Sequence, residues 1–357
     1  MITNEFELKL SDNKKQFDKY KDQGLSGLAN VGNTCYLNSC IQILSHTYEL
    51  NEFLTNEDYE KNVNNKPDTI ILVEWNKLRK MMWSENCTIA PKGFINAVKK
   101  VSILKQRDMF AGHEQNDIQE FLLFMIDCFH TSLSREVEMK ITGNVLNPTD
   151  KLAKECFGMM KNTYKTNYSE MLNIFYGIHV SQITSCGTGE SLSLRAEPFS
   201  LLSLPIPSGI KSPSIYDCIE LYCSKEMLSG ENAWFNDKTN KKEDVNRGIL
   251  FWNLPSVLII DLKRWGETGR KINKLVNAPL VDADFSKHVN GYNKENNIYD
   301  LYGVCNHYGG VQGGHYTAFV KNANGKWYEF NDTSIREMKE SEIVSSRSYC
   351  FFYRKKV

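Results

Sequence analysis

The chain has 357 residues, enough to bury a large core in one elaborated domain or in two or three. Its 43 lysines and arginines cancel its 43 aspartates and glutamates, so no global field argues for nucleic acid or an anionic membrane surface as partner. Apolar runs such as 257–260 are far too short to span a bilayer, and residues 1–21 lack a signal-peptide core, so a soluble protein of the cytoplasm or nucleus is expected.

Ten cysteines are too dilute for a disulfide scaffold, which fits a reducing, intracellular compartment with thiols free for chemistry. Residues 1–22 read as an N-terminal extension, either a flexible tail or a short docking arm. The polar run from Gly27 to Asn33 then opens into Cys35, Leu37, Cys40, Ile41 and Leu44 at helical spacing. Cys35 would therefore sit in the first turn of a buried helix, where unpaired N–H groups and the macrodipole favour a thiolate. A small core residue at a helix start fits the same segment, and the segment alone leaves both readings open.

Two helical stripes follow, Leu72, Trp75, Leu78 and Met82, then Ile118, Phe121, Leu122, Met125 and Phe129. Asn116 is placed to cap the second of these helices, with Asp117 and Glu120 as acids in its first turn. Those two acids either support the helix start or face a cleft and pair with a basic peptide. Strand patterns dominate the second half: 201–206, 256–262, 299–304, 315–320, 327–330 and 349–353. A helical front and a β-rich back predict an α+β fold.

The glycine-rich run from Gly309 to Gly314 feeds a strand with His315 at its mouth, a suitable place for a base. With a turn of only 322–325 between them, the strands that start at His315 and end at Phe330 can pair as a hairpin, which brings His315 to Asn331 and Asp332. Either side chain could hold the imidazole in a useful tautomer.

Taken together, the segments 27–38, 115–122, 254–265 and 302–335 resemble, in order, the motifs of the ubiquitin-specific protease family of papain-like cysteine deubiquitinases. The resemblance covers residues 23–355 and implies one α+β, papain-like catalytic domain. Its helical thumb would span roughly 23–165, its β-stranded fingers 175–255 and its β-rich palm 255–355. By motif position Cys35 would be the nucleophile, His315 the general base and then acid, and Asn331 the residue orienting it. Most members carry aspartate at that last place, so Asp332 beside it joins the expected catalytic set. Asn30 falls where the family has a side-chain donor to the oxyanion. Gln115, Asp117 and Glu120 would bind the substrate tail, with the two acids meeting its arginines. Gly313 and Gly314 would wall the channel for the terminal diglycine.

The resemblance implies ubiquitin and ubiquitinated proteins as partners, a monomer, no nucleic acid, no membrane and no cofactor. Many members bind zinc at the fingertips through two C-x-x-C pairs. Here Ile183, Asn236 and Thr239 stand in three of those four places and only Cys186 remains, so no metal is expected. A ubiquitin-binding scaffold without turnover, and an isopeptidase for a ubiquitin-like modifier, are the alternatives.

Overall fold

In the computed structural model the described residues are 17–266, 269–310 and 313–356, so residues 1–16 of the expected extension lie outside them. The chain opens with β1 (Gly27–Leu28), α1 (Cys35–Ser45), α2 (Tyr48–Thr55), α3 (Thr69–Ser84), β2 (Thr88–Ile89), α4 (Lys92–Leu104), α5 (Ile118–Leu133), α6 (Pro148–Tyr164) and α7 (Met171–Phe175). It continues with β3 (Gly177–Ser185), β4 (Ser191–Phe199), β5 (Leu202–Leu204), α8 (Ile215–Cys223), β6 (Glu226–Leu228), β7 (Trp234–Asn236), β8 (Lys241–Glu243) and β9 (Val245–Asn253). The last part holds β10 (Val257–Leu262), β11 (Ala283–Asp284), β12 (Ile298–Gly310), β13 (Gly313–Lys321), β14 (Trp327–Asn331), β15 (Ser334–Met338) and β16 (Ser348–Lys355). The fold is thus α+β, with helices in front and strands behind.

The palm is an eight-stranded sheet in the order β15-β14-β13-β12-β16-β10-β5, with β11 paired onto β12. Its middle strands read as unbroken apolar runs because both faces are covered: every residue of β10 and the first six of β16 are buried. The fingers are a four-stranded sheet, β4-β3-β9-β6, with the small β7–β8 hairpin at its end.

Helix α1 lies between the two halves. All eleven of its residues are buried, including Asn38, Ser39 and Gln42, because α5 covers one face and β12, β13 and β14 the other. The two helical stripes turn inward as predicted, each residue at most 1% exposed. The cap of α5 differs from expectation. It is Asp117, not Asn116, whose side chain accepts from the Gln119 N–H at 3.0 Å, since Asp117 is the last residue in extended backbone.

Residues 17–22, placed outside the domain by the sequence, pack on it. Tyr20 stacks on Tyr48 at 4.6 Å and meets Trp83 edge-on at 4.9 Å, and Asp22 is tied to Asn322 and Asn324 of the palm. Beside them Arg354 of β16 is paired with Glu49 of α2 at 2.6 Å and lies over the rings of Tyr48 and Tyr302, both at 4.5 Å. Aromatic faces and one carboxylate together compensate the desolvated guanidinium, and they join thumb to palm.

Asp261 is the one charge within β10, 1% exposed, where it accepts from Ser203 Oγ at 3.0 Å and from the Gln119 amide nitrogen, turned toward it, at 2.7 Å. Burial pushes its carboxyl up to about 7, with the nearby charge of Asp117 adding to the rise and Ser203 opposing it. A raised acid binds its proton more tightly in the native chain than in the unfolded one. Its contribution is therefore fully present below about pH 4 and is lost as pH rises through about 7. Asp261→Asn should remove this loss and be more stable than the parent at pH 8 by on the order of 4 kcal/mol, with little difference at pH 4. Urea unfolding at the two pH values checks this, and equal gaps at both would refute it.

Candidate active site

The loop that delivers the cysteine is closed by its own side chains. Asn30 Oδ1 accepts from the Thr34 N–H at 3.1 Å, and Thr34 Oγ1 accepts from the Val31 N–H at 3.0 Å. Between them Asn33 takes left-handed backbone, φ 56°, and donates its amide to the His113 carbonyl at 2.9 Å. The chain then enters α1 with Cys35 as its first residue.

Helix-start N–H groups do reach Cys35, but they do not win. Burial pushes the Cys35 thiol up from its ordinary value; the Tyr316 N–H pulls the other way, the Asp332 charge adds to the rise, and the N–H groups of Tyr36 and Cys35 lower it. The segment left a thiolate-favouring helix start and a buried core position both open, and Cys35 is at once the first residue of α1 and buried. The fold desolvates the sulfur between α1 and β13, and that burial favours the neutral thiol.

The residue expected as the base is His315. His315, at the mouth of β13, meets Asn331, at the end of β14, with Nε2 and Oδ1 at 2.7 Å. The hairpin register that brings them together runs from Lys321↔Trp327 to Ala318↔Phe330. An amide oxygen only accepts, so in this contact Nε2 carries the proton and Nδ1 keeps its lone pair.

Asp332 does something else. In left-handed backbone, φ 51°, it turns away from the imidazole and accepts from Asn38 Nδ2 at 2.8 Å and Asn30 Nδ2 at 3.0 Å. Its carbonyl also accepts from the Leu28 N–H at 2.9 Å. Asp332 is accordingly a positioning residue that holds the amide of Asn30. With its oxygen turned to Thr34 and one N–H on Asp332, Asn30 keeps a second N–H for another acceptor.

The expected substrate residues differ in exposure and in the bonds they already make. Asp117 is half-buried and already engaged, its second oxygen accepting from Tyr349 OH at 2.8 Å, whereas Glu120 is exposed. Gln115 reaches across to Gly314, and Gly313 lies next to it at the start of β13. Sequence patterns pointed to none of Asn38, Tyr349, His307 and Lys271, which hold these groups from afar. Lys271 Nζ sits 2.8 Å from His307 Nδ1, and His307 packs on Tyr316 at 4.6 Å.

At the fingertip Asn236 and Thr239 both donate to the Glu243 carboxylate, at 3.1 and 2.5 Å. Among the described residues no three His, Cys, Asp or Glu side chains gather to hold a metal ion. The donors present do not fit a tetrahedral zinc site.

Comparison with known proteins gives one consistent result. The family model described as "Ubiquitin carboxyl-terminal hydrolase" matches residues 26–353. "Ubiquitin carboxyl-terminal hydrolase Usp2" of Drosophila melanogaster is 33% identical over 342 residues, covering 94% of this chain and 35% of that protein. "Ubiquitin carboxyl-terminal hydrolase 2" of Homo sapiens is 31% identical, covering 93% and 55%; its Gallus gallus counterpart is 32% identical, covering 93% of each chain. The chain thus spans between a third and little more than half of the first two relatives. Among solved structures, the SAGA Ubp8/Sgf11/Sus1/Sgf73 DUB module bound to ubiquitin aldehyde matches with a TM-score of 0.70 at 24% identity, over 95% of this chain and 71% of that one, which shows a shared fold.

Because burial raises the Cys35 thiol, His315→Ala should leave it less reactive than a free cysteine at pH 7. Alkylation by iodoacetamide, followed by mass spectrometry at Cys35, reads the rate. A rate equal to that of free cysteine would refute the burial argument.

Proposed function

The chain belongs to the ubiquitin carboxyl-terminal hydrolase family, and from that premise we propose that it is a thiol-dependent deubiquitinase acting on the bond after the C-terminal glycine of ubiquitin. The observation that carries this reading is the 2.7 Å contact between His315 Nε2 and Asn331 Oδ1, across from a cysteine at a helix start. A scaffold without turnover has no need to hold an imidazole in one tautomer.

The chemistry follows from the tautomer. Nδ1 of His315 takes the thiol proton as Cys35 Sγ adds to the glycine carbonyl. The oxyanion is met by the free N–H of Asn30, whose amide Asp332 keeps from rotating. Loss of one such donor costs about 3 kcal/mol of transition-state stabilisation. The imidazolium returns its proton to the departing lysine amine, leaving a thioester. Water, deprotonated by His315, then releases ubiquitin and restores the thiol.

Glu120 and Asp117 offer carboxylates to the arginines of the ubiquitin tail, with unequal freedom. Glu120 is exposed, whereas Asp117 also caps α5 and holds Tyr349. Monomeric action on ubiquitinated proteins inside the cell belongs to the same proposal.

A ubiquitin carrying an electrophile in place of its terminal carboxylate should form a covalent adduct with the parent and not with Cys35→Ala. A folded parent that forms none would overturn the reading. Asn331→Ala should lower kcat by about 10²- to 10⁴-fold while adduct formation persists slowly. Glu120→Gln should raise KM for ubiquitin substrates a few-fold, about 1 kcal/mol, without a change in unfolding. Asp117→Ala should raise KM and also lose about 1 kcal/mol of stability through the cap.

A further inference from the structure

Strand β13 is paired on one side with β12 from Gly313 to Val320, through Gly309↔Gly314 and Gly310↔Gly313 at its mouth. On its other side β14 joins only from Ala318 to Lys321. The main chain just before His315 is thus an open sheet edge, the kind of edge onto which an extended peptide can add.

At Gly314 that edge is filled from within the chain. Gln115 Oε1 accepts from the Gly314 N–H at 2.6 Å, and Gln115 Nε2 donates to the Gly314 carbonyl at 2.6 Å. A carboxamide carries one donor and one acceptor side by side, as one residue of a neighbouring strand does. Gln115 therefore makes the same two bonds that a β-paired substrate residue would make.

The two partners differ in freedom. Gly314 is fixed from below: a Cβ there would run into the His307 ring and would lie 2.5 Å from the Tyr308 carbonyl oxygen. His307 is buried, held by Lys271 at Nδ1 and enclosed by the rings of Trp265, Tyr316 and Tyr349. Gln115 is exposed and precedes α5 on a loop. The side chain is the part that can leave.

We propose that Gln115 is an intramolecular competitor for the outward edge of Gly314, in the channel that the family resemblance already assigns to the substrate tail, and that it must swing out before a tail residue can pair there. This rests on the deubiquitinase reading above and specifies how that substrate is recognised. The apparent affinity for substrate is then reduced by the fraction of molecules whose edge is open. An exposed pair of hydrogen bonds shifts such an equilibrium by about five- to tenfold.

Gln115→Ala, and Gln115→Asn with an arm one methylene too short, should therefore lower KM for a fluorogenic ubiquitin amide by about five- to tenfold, so that kcat/KM rises. A raised or unchanged KM would overturn the proposal, since Gln115 would then hold the substrate or do nothing to it. A second measurement needs no variant. In the adduct of the parent with electrophile-tipped ubiquitin, nuclear magnetic resonance should find the Gly314 N–H still protected from exchange while the Gln115 carboxamide has become free. Retention of the Gln115 to Gly314 contact in that adduct would equally overturn it. Formation of the adduct itself tests the deubiquitinase reading separately.

Discussion

The carboxylate of Asp332 is where the two halves of the site are fastened. It belongs to the palm, yet both of its oxygens accept amide protons from the thumb, one from Asn38 inside α1 and one from Asn30 in the loop before it. Bonds from neutral donors to a charged acceptor are strong when partly desolvated, and two of them fix a direction as well as a distance. The main chain repeats the join, with the Leu28 N–H on the Asp332 carbonyl. Gly27 lies so close that a Cβ there would sit 2.6 Å from the Thr333 carbonyl oxygen. Loop closure over three hundred residues is entropically costly, and a cluster of directional bonds at its end is what fixes the loop before Cys35 against the end of β14.

That same close fit sets the character of the nucleophile. A cysteine at a helix start gains from the dipole, but burial of the sulfur separately disfavours the thiolate. Here α1 is wrapped on both sides, so desolvation outweighs the dipole and the N–H groups around Cys35. In the proposed mechanism the proton leaves the sulfur into the imidazole, which would couple activation to the alignment of His315 by Asn331. Arg354 with Glu49 on the far side of the seam serves the same alignment, because a shift of thumb against palm would break a buried ion pair as well as the site.

The fingers follow a related logic with different chemistry. A small hairpin has too little apolar area to hold its shape alone. In the β7–β8 hairpin the Glu243 carboxylate takes donors from Asn236 and Thr239, and the Asn236 carbonyl accepts the N–H groups of Thr239 and Asn240. Hydrogen bonds to the acceptor hold this carboxyl below its ordinary range, as expected of a charge that does structural work.

Local periodicity determined a good deal. The inward stripes of α3 and α5, the buried runs of β10 and β16, and the hairpin that brings His315 to Asn331 all depend on residues within a few turns or one short loop of each other. Their spacing is therefore visible in the chain itself. So are the helix start at Cys35 and the α+β order of the whole. Only the tertiary structure decided that Asp332 serves Asn30 and Asn38 rather than the imidazole, that Asp117 rather than Asn116 caps α5, and that Gln115 closes on Gly314. It also decided that the thiol of Cys35 is raised rather than lowered. Each of these depends on a partner many residues away or on how much water the packing leaves, and neither distance in space nor dielectric is written in the order of the residues.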